Sequence, residues 1–178
     1  MSEPGKRIAV VGVGNILMGD DGVGVRAVEE LRRENLPAQV TLFDAGTAFP
    51  TFFYQLVHFD KLIVIDAVKG GGAAGTVYRF GLEEVQGNDR VLLSLHDLGI
   101  VETLLLQRLI DESAEEIVFF GLEPARVQPS LKLSLTVKAK LRQLVDMVLQ
   151  ELEKDGARRV KYRDGRDDGG SCKHWCAV

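Results

Sequence analysis

The sequence predicts an α/β fold, a three-layer α/β/α arrangement around a mainly parallel, mixed central sheet of about five strands. Three observations lead there. Short β-branched runs such as residues 7–13 (RIAVVGV) and 62–65 (LIVI) have the continuous apolar character of strands buried on both faces. Stretches of helical period lie between such runs, and Gly- and Asp-rich turns join the two kinds of element.

Residues 7–13 form the first expected strand and end in glycine; 14–22 hold too much Gly, Asn and Asp for regular structure. From about Asp21, Val23, Val25, Val28 and Leu31 run into a charged stretch, an amphipathic helix reaching about Glu34. Residues 40–43 give a second strand, closed by Asp44-Ala45-Gly46-Thr47, and Pro50 suits the first turn of a short helix. Residues 62–65 are the most strand-like run, with Asp66 expected to end it. Residues 69–75 (KGGGAAG) predict a flexible loop, 76–80 a strand, and the stretch from Ser94 or His96 to about Ile110 a helix. Residues 117–120 are another buried strand. In 133–153, Leu135, Leu141, Leu144, Val145, Val148 and Leu152 repeat at helical spacing and mark the closing helix. Residues 155–178 lack both period and apolar content, which divides the chain into one α/β domain, 1–154, and a flexible tail, 155–178. No internal repeat is visible.

The formal net charge of −4 argues against nucleic acid or an anionic membrane as partner. The tail carries six Lys and Arg against four Asp, so the acidity lies in the body, which suits a cation or a basic peptide. No apolar run has the length of a membrane span, and the start MSEPGKR lacks the pattern of a secretory signal. Cys172 and Cys176 are both in the last seven residues and cannot staple a core, so a reducing, cytoplasmic setting is expected.

Acidic groups follow three strands: Asp20 and Asp21 after the first, Asp44 after the second, Asp66 after the third. In open α/β sheets, ligands bind beyond the carboxyl ends of the strands. Carboxylates crowded there would repel one another, and a divalent cation removes that cost. His96, in Ser94-Leu95-His96-Asp97, reads equally as a nitrogen donor to such an ion or as part of a helix cap. Two carboxylates and one imidazole would leave positions open for water or substrate. The donor set does not choose among Zn, Ni, Fe and Mn.

Gly12-Val13-Gly14-Asn15 after a strand invites a dinucleotide-binding reading, but Leu17 stands where the third glycine belongs, so no nucleotide cofactor is expected. In Lys69-Gly70-Gly71-Gly72 the lysine precedes its glycines, which excludes a Walker loop, and no Gly-x-Ser-x-Gly elbow occurs.

The segment from Gly12 to Gly24 (GVGNILMGDDGVG) resembles the opening motif of the nickel-iron hydrogenase maturation proteases, G-x-G-N-x-L-x-x-D-[DE]-G-x-G. Asp44-Ala45-Gly46-Thr47 is similar to their D-G-G-T turn, with alanine for the first glycine. The segments ending in Asp66-Ala67 and running from Ser94 to Gly99 follow in the family's order, as does Gly121-Leu122-Glu123-Pro124 with Gln128-Pro129-Ser130. The likeness covers about residues 7–152. It implies an endopeptidase that trims the C-terminal extension of a nickel-iron hydrogenase large-subunit precursor once nickel is inserted. It implies Asp21, Asp66 and His96 as metal ligands, with nickel supplied by the bound precursor, and links Asp44 to activity. Asp44 reads either as a catalytic assistant, the general base, or as the cap of its turn. The expected enzyme works without nucleic acid or membrane insertion, as a monomer. An alternative is a non-enzymatic nickel-binding chaperone using the same ligands.

Asn15 and Asp20 are expected to shape the loop by local hydrogen bonds. Phe49, Phe52, Phe53 and Tyr54 are expected mainly in the core, and Glu123 on a loop surface beyond the fifth strand. Cys172-x-His174-x-Cys176 would need a fourth donor to hold a metal.

Overall fold

The structure, a computed structural model, describes residues 5–87, 92–93, 97–110 and 114–156. Its strands are β1 (Ile8–Val13), β2 (Val40–Gly46), β3 (Lys61–Lys69), β4 (Val77–Gly81), β5 (Leu92–Leu93) and β6 (Glu116–Leu122). The helices are α1 (Val23–Leu31), α2 (Phe53–Leu56), α3 (Leu82–Gly87), α4 (Asp97–Leu109) and α5 (Leu135–Lys154), with single 3-10 turns at Asp20–Gly22 and Phe49–Phe52. The main sheet runs β2-β1-β3-β6-β4, and the two-residue β5 pairs with the far end of β3. β2, β1, β3 and β6 are mutually parallel, while β4 and β5 run antiparallel to their neighbours. This is the expected mixed, mainly parallel sheet.

Alternation along the strands makes two cores. Ile8 and Val10 of β1, Ile63 and Ile65 of β3, and Val118 and Phe120 of β6 pack beneath α1 and α5. Ala9, Val11, Leu62, Val64 and Phe119 turn to the other face, against Phe49, Leu56, Ile100 and Leu104. Both faces being covered explains why these strands read as unbroken apolar runs. Ser134 caps α5, its hydroxyl accepting the Val137 N–H at 3.3 Å.

Three elements differ from expectation, one of them β5, for which no strand is expected. β3 does not stop at Asp66: Asp66 and Ala67 still pair with Gly121 and Leu122, and Val68 and Lys69 pair with β5. The ladder continues because β6 and then β5 supply partners for these residues. α3, in the stretch between β4 and β5, was not anticipated. At the carboxyl end of α5, Asp155 belongs to the folded body, its carboxylate 2.7 Å from Lys61 Nζ. The rest of the expected tail, residues 157–178 with Cys172, His174 and Cys176, lies outside the described residues.

Candidate active site

Parallel register brings the acids of distant segments level. Gly12, near the end of β1, lies opposite Asp44 on β2 and Ile65 on β3, so Asp44 and Asp66 flank the end of β1 from its two sides. Asp21 reaches the same place from the loop that leaves β1. A Cβ on Gly14, whose φ is +122°, would stand 1.9 Å from the Asp21 carbonyl oxygen and 3.5 Å from Asp66 Oδ1. Only glycine lets the two segments close in at this point. At Gly24 the first turn of α1 rests on the strand ends, since a Cβ there would meet Ile65 O at 2.0 Å and Val13 O at 2.3 Å. The glycines of the opening motif are therefore steric requirements of the crevice.

Both acids are buried and oriented by backbone donors. Asp21, 4% exposed, accepts the Asn15 N–H on Oδ2 at 2.9 Å. Asp66, 2% exposed, accepts the Ala67 N–H on Oδ1 at 2.8 Å. Oriented carboxylate oxygens are the donor type that a divalent cation takes. His96 lies outside the described residues, and among the described residues no three His, Cys, Asp or Glu side chains gather closely enough to hold an ion. The structure thus brings together the Asp21 and Asp66 segments and leaves the third expected ligand outside its view.

Asp44 is exposed on the rim. Its Oδ1 accepts the Gly46 N–H at 3.1 Å, an Asx-type bond that shapes the turn, and Gly46 O accepts the Gly14 N–H at 2.9 Å. The Asp44 turn and the Asp21 loop are in this way tied together. Between them opens a groove of about 300 Å³ whose walls include Asn15, Leu17, Asp44 and Thr47.

Asn15 behaves as expected, accepting the Leu17 N–H at 2.9 Å. Asp20 does not act locally. It is fully buried; Oδ1 accepts the Ser134 N–H at 2.6 Å, and Oδ2 those of Ala125 and Arg126 at 2.9 and 3.0 Å. Its role is to fasten the loop to the segment leading into α5. Glu123 is likewise buried instead of lying on a loop surface. Its Oε2 accepts the N–H groups of Gly70 and Gly72 at 2.8 and 3.3 Å and the Tyr78 hydroxyl at 2.6 Å, pinning the glycine loop after β3. Burial, helped by the Glu123 carboxylate, pushes the Tyr78 hydroxyl pKa above its usual 10.0, so it remains a donor. The aromatic cluster divides: Phe49 is core, whereas Phe53 and the exposed Tyr54 line an open groove of about 390 Å³ against α4.

Residues 25–151 match the family described as Hydrogenase maturation protease. The chain belongs to the hydrogenase maturation protease family. It is 35% identical over 156 residues to the Hydrogenase 2 maturation protease of Escherichia coli (strain K12), covering 86% of this chain and 95% of that one. Its fold is similar to the hydrogenase maturating endopeptidase HybD of E. coli, with a TM-score of 0.81 and 34% identity over 89% of this chain and 99% of that one. It is also similar to the NiFe hydrogenase maturation protease HybD of Thermococcus kodakarensis, with a TM-score of 0.70 and 25% identity over 82% of this chain and 98% of that one.

As a hydrogenase maturation protease the chain is an endopeptidase, which sets aside the non-enzymatic chaperone reading. Sequence reasoning missed the structural work of Asp20 and Glu123 beside the crevice. Among the described residues no helix is long and apolar enough to cross a membrane.

Proposed function

We propose that this protease removes the C-terminal extension of a nickel-iron hydrogenase large-subunit precursor after nickel insertion, acting in the cytoplasm as a monomer. The observation that carries this reading is the buried pair Asp21 and Asp66, each with one carboxylate oxygen held by a backbone N–H beside Gly14. The precursor's nickel enters as part of the substrate, and Asp21, Asp66 and His96 are the residues that would complete its coordination. Imidazole and carboxylate are both acceptable donors to that ion. A precursor lacking nickel would lose these contacts and bind poorly, which enforces the order of assembly. Held by these residues, the ion would also supply Lewis acidity toward the scissile carbonyl.

Asp44 is assigned the proton. The Gly46 N–H fixes its Oδ1, and from the exposed rim of the groove the carboxylate can take a proton from the attacking water and return it to the leaving amine. The backbone N–H groups of Asn15 and Ala67 keep the Asp21 and Asp66 carboxylates oriented while the peptide is bound.

The test compares nickel-loaded with nickel-free precursor by intact mass. Loss of a C-terminal peptide from the loaded form alone supports the reading. Equal trimming of both forms would remove nickel recognition from it, and normal cleavage by His96→Ala would remove His96.

A further inference from the structure

We propose that Ile16 and Leu17 form an apolar lip that seats an apolar side chain of the precursor next to the scissile bond, and so determine which peptide is cut. The inference rests on the processing role proposed above. Leu17 is 58% exposed and Ile16 38%, although both belong to the loop that carries Asp21.

Their exposure is imposed by a fixed backbone. The Leu17 N–H donates to Asn15 Oδ1 at 2.9 Å, and its carbonyl accepts the Ser130 N–H at 2.8 Å. The Met18 N–H donates to the Asn15 carbonyl at 3.0 Å, and the Gly19 N–H to the Ser130 carbonyl at 2.8 Å. Behind Ile16 the backbone is in close contact with Gly22, where a Cβ would come within 2.7 Å of the Ile16 Cα. Two apolar side chains are therefore presented to solvent on a pre-ordered support, so little conformational entropy remains to be lost on contact.

The occupant follows from continuity with the site. Ile16 and Leu17 line the same groove as Asp44 and Gly14. A peptide placed for attack at Asp44 enters that groove and reaches the lip with the residues flanking its cut. At about 300 Å³ the groove is at the small end of ligand sites, enough for one or two side chains. No lining residue is cationic, and Asp44 is its single acid, so an acidic substrate side chain is disfavoured and an apolar one favoured.

The experiment measures cleavage of nickel-loaded precursor by wild type, Leu17→Ala and Ile16→Ala, with thermal melting as the check on folding. Leu17→Ala should raise KM about tenfold with kcat nearly unchanged, the signature of lost uniform binding. Leu109→Ala, which removes a still more exposed leucine side chain on α4, should leave both constants alone. Precursors with each residue flanking the cut replaced in turn by Asp should include one that loses affinity and is no further affected by Leu17→Ala. An unchanged KM for folded Leu17→Ala and Ile16→Ala, with wild type active, overturns the lip and leaves the processing role standing. A wild-type dimer that Leu17→Ala dissociates without altering KM also overturns it, the lip then being a contact between copies. Absence of cleavage by wild type overturns the processing role itself and the lip with it.

Discussion

Asp20 Oδ1 accepts the backbone N–H of Ser134 at 2.6 Å, joining the loop after β1 to the residue that caps α5. With Ala125 and Arg126 donating to Oδ2, one buried carboxylate satisfies three backbone donors. Asp20→Asn keeps a single acceptor oxygen and turns an NH2 group toward N–H donors. The expected loss is about 3 kcal/mol of unfolding free energy, because bonds to a buried charge are replaced by unsatisfied donors. Urea denaturation measures it. A loss within experimental error of zero would mean that the segment before α5 is held by other contacts.

Close approach at the motif glycines gives the second expectation. A Cβ on Gly24 would overlap the carbonyl oxygens of Ile65 and Val13, both backbone atoms of the sheet. Nothing flexible can yield, so Gly24→Ala must push α1 away from the strand ends at a cost of about 1–3 kcal/mol or more. The displacement carries Asp21 with it, and cleavage should fall further than the stability loss accounts for. Activity measured well below the melting temperature separates the two effects. Full activity in a folded Gly24→Ala protein would show that the placement of Asp21 is not critical.

The sheet and its helices were legible because parallel strands covered on both faces must be apolar throughout, and α5 shows its stripe at Leu144, Val148 and Leu152. The end of β3 was not legible, since its continuation past Asp66 depends on pairing with Leu122 and then with Leu92 and Leu93, all more than twenty positions away. Asp21, Asp44 and Asp66 could be picked out as strand-end acids. Only the family resemblance separated Asp21 from Asp20, and the reach of Asp20 was not legible, because it lies in the backbone donors from residues 125–134 that meet its carboxylate. Glu123 looked like any loop acid, and its three donors come from a glycine loop and β4. Glu151 did leave a signal, as a charged residue three positions after Val148 on a buried helix face.

Asp44 has two roles that one substitution can separate. Asp44→Asn retains an oxygen to accept the Gly46 N–H, so the turn should survive. It cannot accept a proton near neutral pH, so kcat should fall about a hundredfold or more if the carboxylate is the general base. KM for nickel-loaded precursor should change little, because the nickel contacts assigned to Asp21, Asp66 and His96 are untouched. A kcat within twofold of wild type would reduce Asp44 to a turn-former.

Stability against pH should be governed from the opposite end of the sheet. Lys61, the first residue of β3, is buried with its Nζ 2.9 Å from Glu151, 2.9 Å from Glu116 and 2.7 Å from Asp155. Arg79 donates to both Glu151 oxygens at 2.8 and 3.0 Å. The Arg79 guanidinium, joined by Lys154 and Lys61, holds the Glu151 carboxyl well below its usual 4.5 against the opposing effect of burial. Burial also works against the Lys61 charge, yet Asp155, Glu116 and Glu151 outweigh it and raise its pKa above 10.5. A depressed carboxyl contributes stability above its unfolded value and loses it as pH falls through the folded one; a raised amine contributes below its unfolded value and loses it as pH rises. The cluster should therefore stabilise fully between about 4.5 and 10.5 and fade on both sides. Glu151→Gln should cost about 3 kcal/mol at neutral pH, since it leaves a buried lysine short of a partner, and should flatten the acid limb. Lys61 precedes Asp66 by five strand positions, roughly 16 Å, so the folded variant should retain its kcat. Denaturation curves across the acid range decide the matter: an acid slope identical to wild type would place the pH sensitivity elsewhere.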